Sequence, residues 1–361
     1  MRKLLILVSA VAFVAAFALP AAAADWSFYG SARMTTFMDS VSEEASATGY
    51  DDDDLTWNLQ GNSRIGANVK TDGPVAGRFE YGHTAATGAT LRLLYGTLKV
   101  GPGILTVGQG YTPLNWFYSN QVWGGDTDML PYGGVYDGRR PMLQYAVKGF
   151  KIALVTPNAS IPAAVTAGMP AGVSGDTDTT MPKIEATYGF NAGPAALVVG
   201  VGYQTYDVVA YDATDEEEEG IDSTWAGIGF DVDVAPAYVK GDVWIGTNSG
   251  QFGMWQQGAD DWTVNASGDI EDCDSMGYLL VVGFKATPKI NLELGYGFIQ
   301  HDRDDYATED DTSAYYIQMA YSLAKGVSIT PEIGVIDYSD SAADTDQGDQ
   351  TYFGAKWQIN F

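Results

Sequence analysis

Cysteine is nearly missing from this chain: Cys273 is the only one in 361 residues, so no internal disulfide can form. It lies in a polar stretch and reads as an incidental loop thiol. Histidine is almost as scarce. His83 and His301 fall at the outer ends of extended segments, and neither has a Ser or Asp at a spacing that would pair with it. Hydrolytic sites need a base and an orienting group beside a nucleophile, so an enzyme finds little support. Basic residues are also few, with 19 Lys and Arg against 46 Asp and Glu and a net charge of −27. Nucleic acid is thereby excluded as a partner, since binding it requires a basic footprint. Beyond Leu19 no apolar run approaches the ~20 residues of a membrane helix. Charged residues nevertheless make up only 18 %, while the chain holds 43 Gly, 22 Tyr and 9 Trp. Strands with one face in lipid and the other in water produce this mixture.

The first residues set the compartment. Arg2 and Lys3 precede an apolar run from Leu4 to Leu19, and Pro20 with Ala21–Ala24 supplies a small-residue cleavage site. Residues 1–24 are expected to be a signal peptide cut before Asp25, leaving residues 25–361 as one domain. No Cys stands at the cut, which argues against a lipoprotein anchor. Without the two basic residues of that segment, 17 Lys and Arg face 46 acids, a net charge of −29.

Period-2 alternation fills the rest. Ile290, Leu292, Leu294, Tyr296 and Phe298 alternate with Asn291, Glu293, Gly295 and Gly297. Phe353, Ala355, Trp357, Ile359 and Phe361 alternate in the same way with Tyr352, Gly354, Lys356, Gln358 and Asn360. This pattern means one apolar and one wet face. A soluble sandwich would share it, but three features favour a membrane barrel. Aromatic residues mark the ends of the apolar faces. Tight turns such as Gly101-Pro102-Gly103 and Lys325-Gly326 alternate with long connections such as 111–138 and 248–274. The chain ends on Phe361 at the close of an alternating strand. Sixteen segments fit between these turns, the first near 26–38, the second near 55–71 and the last near 351–361, so the expected fold is an all-β, sixteen-stranded transmembrane antiparallel barrel.

Charge checks the register. If apolar parity points outward, then Arg33, Arg64, Arg92, Arg140, Lys183, Glu185, Lys240, Asp242, Glu293 and Lys356 all point inward. A basic side chain on the lipid face costs roughly 2–4 kcal/mol at the midplane, so this shared inward parity predicts a polar lumen.

Several stretches resemble the general trimeric porins of Gram-negative outer membranes. They are Phe28-Tyr29-Gly30, Ser63-Arg64-Ile65-Gly66, Leu91-Arg92-Leu93 with Leu98-Lys99, Gly108-Gln109-Gly110-Tyr111, Thr127-Asp128-Met129-Leu130-Pro131, Gly138-Arg139-Arg140 and the terminal Phe361. The likeness is best over residues 26–148 and at the C-terminus. It implies a passive channel for small hydrophilic solutes, a homotrimer, and a third loop folded into the lumen. It further implies a constriction with Asp128 as the loop acid and Arg64, Arg92 and Arg140 as a basic wall. Arg33 lies close to the first-strand basic position, and Arg139 is a further candidate. Tyr132 stands where the family often carries a second loop acid, and Asp126 is the candidate to replace it. The alternative is that these arginines pair with inward acids and stiffen the wall.

No cofactor is expected. The acidic runs Asp51–Asp54 and Glu216–Glu219, with Glu43 and Glu44, fall in outer loops. Asp51, Asp52, Asp53 and Asp54 could hold Ca²⁺ or Mg²⁺ through oxygen ligands, although a solvated surface facing lipopolysaccharide fits better without EF-hand spacing. The outer-membrane assembly machinery is the expected partner of the strand ending in Phe361. Two other functions stay open. One is a substrate-selective channel for sugars or organic anions, for which Trp116, Phe117, Tyr118 and Trp123 are notable. The other is an adhesion or scaffold barrel with a plugged lumen.

Overall fold

The computed structural model describes residues 24–46, 49–84, 88–168, 174–211, 216–258, 260–265, 269–303, 308–339, 341 and 345–361. The expected signal peptide lies almost wholly outside them. Sixteen strands form one closed antiparallel barrel. They are β1 (Asp25–Val41), β2 (Asp52–Leu59 and Arg64–Lys70), β3 (Val75–Gly82), β4 (Thr90–Val100), β5 (Gly103–Tyr111), β6 (Arg139–Val147), β7 (Phe150–Val155) and β8 (Ser174–Asp178 and Lys183–Ala192). The second half comprises β9 (Ala195–Tyr211), β10 (Glu216–Val234), β11 (Ala237–Thr247), β12 (Cys273–Thr287), β13 (Ile290–Arg303), β14 (Asp310–Ala324), β15 (Val327–Asp337) and β16 (Asp349–Asn360). Closure pairs β1 with β16 from Ser31↔Asn360 to Val41↔Gln350. No edge is left, which is the condition for strands to survive in lipid.

The outer face carries the apolar parity. Leu94, Val107, Val201, Ile245, Leu294, Ile317 and Ile359 are all exposed. Stacked rings sit at both rims, with Trp26 on Phe28 (6.0 Å) and Tyr188 on Phe190 (5.8 Å) near the tight turns, and Tyr278 on Phe298 (5.4 Å) toward the long loops. The last residue completes the seam. Phe361 accepts from Gly30 N–H at 2.7 Å and donates to the Gly30 carbonyl at 3.0 Å. Its ring lies over Gly30, where a Cβ would come within 2.4 Å of it.

Two expectations are corrected. The second strand is interrupted at residues 60–63, where Ser63 is buried and its hydroxyl both accepts from Arg33 N–H and donates to the Arg33 carbonyl. Cys273 is no loop thiol: it opens β12, is fully buried, and its N–H donates to Asn248 Oδ1.

Two long connections turn inward. Loop 112–138 runs across the lumen, and its ends join through a short ladder pairing Asn115↔Tyr136 and Trp116↔Val135. Loop 248–272 descends onto it, with Trp255 N–H donating to the Tyr136 carbonyl (2.9 Å) and Gln257 N–H to that of Pro131 (3.0 Å). Buried clusters therefore form between these loops and the inner wall rather than in a sheet sandwich. One joins Met129 and Tyr132 to Leu279, Val281, Tyr316 and Tyr352; another joins Leu114, Trp116 and Val135 to Trp225, Trp244 and Phe252.

Candidate functional site

Three buried carboxylates of the wall hold the crossing loop by its main chain. Glu185 on β8 accepts from Leu114 N–H at 3.0 Å. On β13, Glu293 accepts from Asn120 N–H (2.9 Å) and Asn120 Nδ2 (2.7 Å). Glu332 on β15 takes Val122 N–H (2.7 Å) and Trp123 N–H (3.0 Å). Beyond its short ladder the loop has no strand partner for its amides, so carboxyl oxygens of the wall supply the acceptors that burial demands. The return limb needs bare backbone instead. A Cβ on Gly297 would meet the Tyr132 carbonyl oxygen at 1.9 Å, and one on Gly133 (φ +92°) would meet the Tyr278 and Phe298 carbonyl oxygens at 2.3 and 2.4 Å.

The tip reaches the opposite seam. Trp123 stacks on Tyr352 at 4.8 Å and donates from Nε1 to Asp39 at 2.6 Å. Asp126 then bridges to the wall, pairing with Arg33 of β1 and with Lys356 of β16 at 2.8 Å, while Gln60 Nε2 donates to it at 3.0 Å. Asn62 donates to the Gly125 carbonyl at 2.6 Å. The break in β2 is what turns Gln60 and Asn62 toward the tip.

Between loop and wall remains a cavity of about 670 Å³. Arg33, Arg64, Arg92, Arg139 and Lys356 line its wall side, and Gly124, Gly125, Asp126 and Asp128 its loop side. Glu80, buried on β3, was not foreseen. It binds Arg92 at 2.7 Å, Arg78 at 3.2 Å and Arg64 at 3.6 Å, and accepts from the Tyr29 hydroxyl at 2.8 Å. Its inward parity on β3 was the available signal. Guanidinium stays ionised in any such setting, so the wall side of the cavity stays basic at all ordinary pH.

Six of the seven residues singled out in the sequence line this cavity, and Arg140 does not. Arg140 turns to Asp137 (2.8 Å) and to the Gly253 carbonyl (3.1 Å), sharing Asp137 with the buried Lys183 (2.5 Å). Its neighbour Arg139 takes the lumen place and lies over the Tyr111 ring at 5.5 Å. The roles of the two acids also differ from expectation. Asp126 makes the wall contacts, and Asp128 has no cation within ion-pair distance among the described residues.

The other candidate groups serve packing. His301 is buried between the Ser275 hydroxyl (2.8 Å from Nδ1) and the Gln257 carbonyl (2.9 Å from Nε2), which anchors loop 248–272. Asp52, Asp53 and Asp54 belong to β2, pairing with Val41, Ser40 and Asp39, and strand alternation sends successive carboxylates to opposite faces. Among the described residues no group of three or more His, Cys, Asp or Glu is placed to hold a metal ion.

A sequence-family model for Gram-negative porins matches residues 10–341. The chain belongs to the Gram-negative porin family. Similar solved structures include the outer-membrane channel DcaP of Acinetobacter baumannii, at 16 % identity and a TM-score of 0.71 over 94 % of this porin and 97 % of that chain. The trimer form of OmpT of Vibrio cholerae has 16 % identity and a TM-score of 0.61 over 94 % and 100 %. An anion-selective porin from Comamonas acidovorans has 14 % identity and a TM-score of 0.60 over 94 % and 100 %. Among curated protein sequences none matches this porin. It is a passive channel of the outer membrane.

Proposed function

We propose that the cavity between loop 112–138 and β1–β6 is the constriction of a weakly selective channel for small hydrophilic solutes and ions. Arg33, Arg64, Arg92, Arg139 and Lys356 form its basic side, with Asp126 and Asp128 opposite. The observation that carries this reading is the clasp of Asp126 with Arg33 and Lys356, which fixes the loop tip against the seam and leaves Arg64 and Arg139 lining an open cavity, with the buried Arg92 behind them. Two fields then act on an ion. Acids at the long-loop ends of the strands, Asp52–Asp54 of β2 and Glu216–Glu219 of β10 among them, concentrate cations at the mouth within a Debye length, ~10 Å at 0.1 M salt. The eyelet favours anions at contact distance. Salt and loop-bound divalent ions screen the first field more than the second. Reversal potentials in planar bilayers are expected to lean toward cations in dilute KCl and to move toward anions as KCl or Mg²⁺ rises. A cation preference that stays constant across that range would remove the arginine-lined cavity from the permeation path.

The protein is also proposed to form a homotrimer through β1–β3. Ala32 and Gly77 on that face lie among the exposed rings of Phe28, Trp57 and Tyr81, a mixture suited to interlocking with another barrel. The OmpT structure above is of a trimer form. The exposed terminal Phe361 is proposed to be the feature read by the assembly machinery, with lipopolysaccharide packing against the outer rim.

A further inference from the structure

Arg139 differs from the other cations of the constriction. Arg33 and Lys356 share Asp126, and Arg64 and Arg92 share Glu80. Arg139 alone among the five has no carboxylate within 4.0 Å among the described residues. Its guanidinium rests on the Tyr111 ring, a contact that leaves the N–H fork free for a planar anion.

Around it stands an aromatic ledge. Tyr111 meets Phe117 edge-on at 5.2 Å, Tyr136 meets Phe117 at 6.0 Å, and Trp255 meets Tyr136 at 5.8 Å. Phe117 and Trp255 keep 45 % and 44 % of their surface exposed although both line a cavity within the barrel. Exposed rings at a barrel rim are met by the membrane interface; these two face the aqueous path. Each comes from a different inward loop, and the backbone bond from Trp255 N–H to the Tyr136 carbonyl holds the two loops in register.

Resting on the channel reading above, we propose that this corner of the constriction is a low-affinity site for aromatic monocarboxylates. Arg139 takes the carboxylate through its fork, and the ring lies against Phe117, Tyr136 and Trp255. Aromatic contacts favour edge-on and offset geometries that a saturated ring of equal size does not reproduce. A solute held in this way stays at the narrowest point long enough to pass in preference to an isosteric aliphatic acid.

The test uses the mature protein in planar bilayers, with benzoate, cyclohexanecarboxylate and benzamide as probes at low concentration. Benzoate is expected to be about threefold more permeant than cyclohexanecarboxylate, the discrimination available from one or two ring contacts. The ratio should fall to about one in Phe117→Leu/Trp255→Leu, which keeps apolar bulk without the rings. Arg139→Gln should reduce the permeability of both carboxylates relative to that of benzamide. Equal permeability of the two acids in the parent overturns the proposal, as does a ratio that survives the double leucine variant. KCl conductance separates the two levels of the argument: a parent protein that conducts but does not discriminate defeats this site alone, and one that does not conduct defeats the channel reading.

Discussion

At the scale of single residues, the pore is decided by which charges are already satisfied. Asp126 is held by two cations, so Asp126→Asn removes a negative charge from the constriction and frees Arg33 and Lys356. The reversal potential is expected to move toward anions, with noisier current as the loop tip loses its clasp. Arg64→Gln/Arg92→Gln should act oppositely, widening the passage and moving the potential toward cations. Unchanged conductance and selectivity in that double variant would place the narrowest point elsewhere. Arg92 also neutralises the buried Glu80, which then keeps Arg78 and Tyr29, so a stability loss of about 1–3 kcal/mol is expected. Glu80→Gln in the same background should recover part of it. Thermal unfolding in detergent, followed by circular dichroism, separates this loss from the change in conductance.

At the scale of elements, the two inward loops are held by different physics. Loop 112–138 depends on carboxylate acceptors and on close approach of backbone. Gly297→Val places methyl groups where the Tyr132 carbonyl now lies, so the return limb must lift from β13. Altered single-channel conductance with retained strand content is expected. Loop 248–272 carries a titration instead. Burial, with Asp261 next and Asp310 adding, raises the Asp260 carboxyl to about 7, against a backbone hydrogen bond that lowers it. A carboxyl whose docked value exceeds its free value of ~3.9 binds more protons when docked. Its share of docking is therefore complete below about pH 4 and is lost as pH rises through about 7. Current recordings should show a more mobile loop at pH 8 than at pH 5, and Asp260→Asn should flatten that difference.

At the scale of the whole molecule, charge is arranged along the barrel axis. Lys70, Lys99, Lys148, Lys151, Lys285, Lys289 and Lys325 lie in or beside the tight turns, whereas the long loops are acidic. The interior between them holds the arginine wall. Assembly belongs to this scale too: light scattering of the detergent-extracted protein is expected to give three times the mass of the mature monomer after detergent correction. A monomer alone would count against β1–β3 as the contact.

Much of this was legible in the chain. Alternation at Ile290–Phe298 and Phe353–Phe361 placed strands and their faces, because a strand's side-chain period is fixed at two and lipid penalises every inward residue turned out. Inward parity likewise located Arg33, Arg64, Arg92, Glu293 and Lys356 on the lumen side. What the chain did not disclose is which inward charges meet. Asp126 and Asp128 stand two residues apart in one loop, and positive φ values at Gly124, Gly125, Asp126, Asp128 and Met129 turn the backbone between them. Such turns are chosen by anchors far away in sequence, at Glu293, Glu332 and Tyr352. Arg139 and Arg140 differ only in parity at the start of β6, yet one meets a ring and the other Asp137. The arrival of Trp255 from loop 248–272 left no local trace. Local periodicity fixes the barrel because every strand obeys the same rule, while the constriction rests on contacts across the lumen that exist only after the barrel has closed.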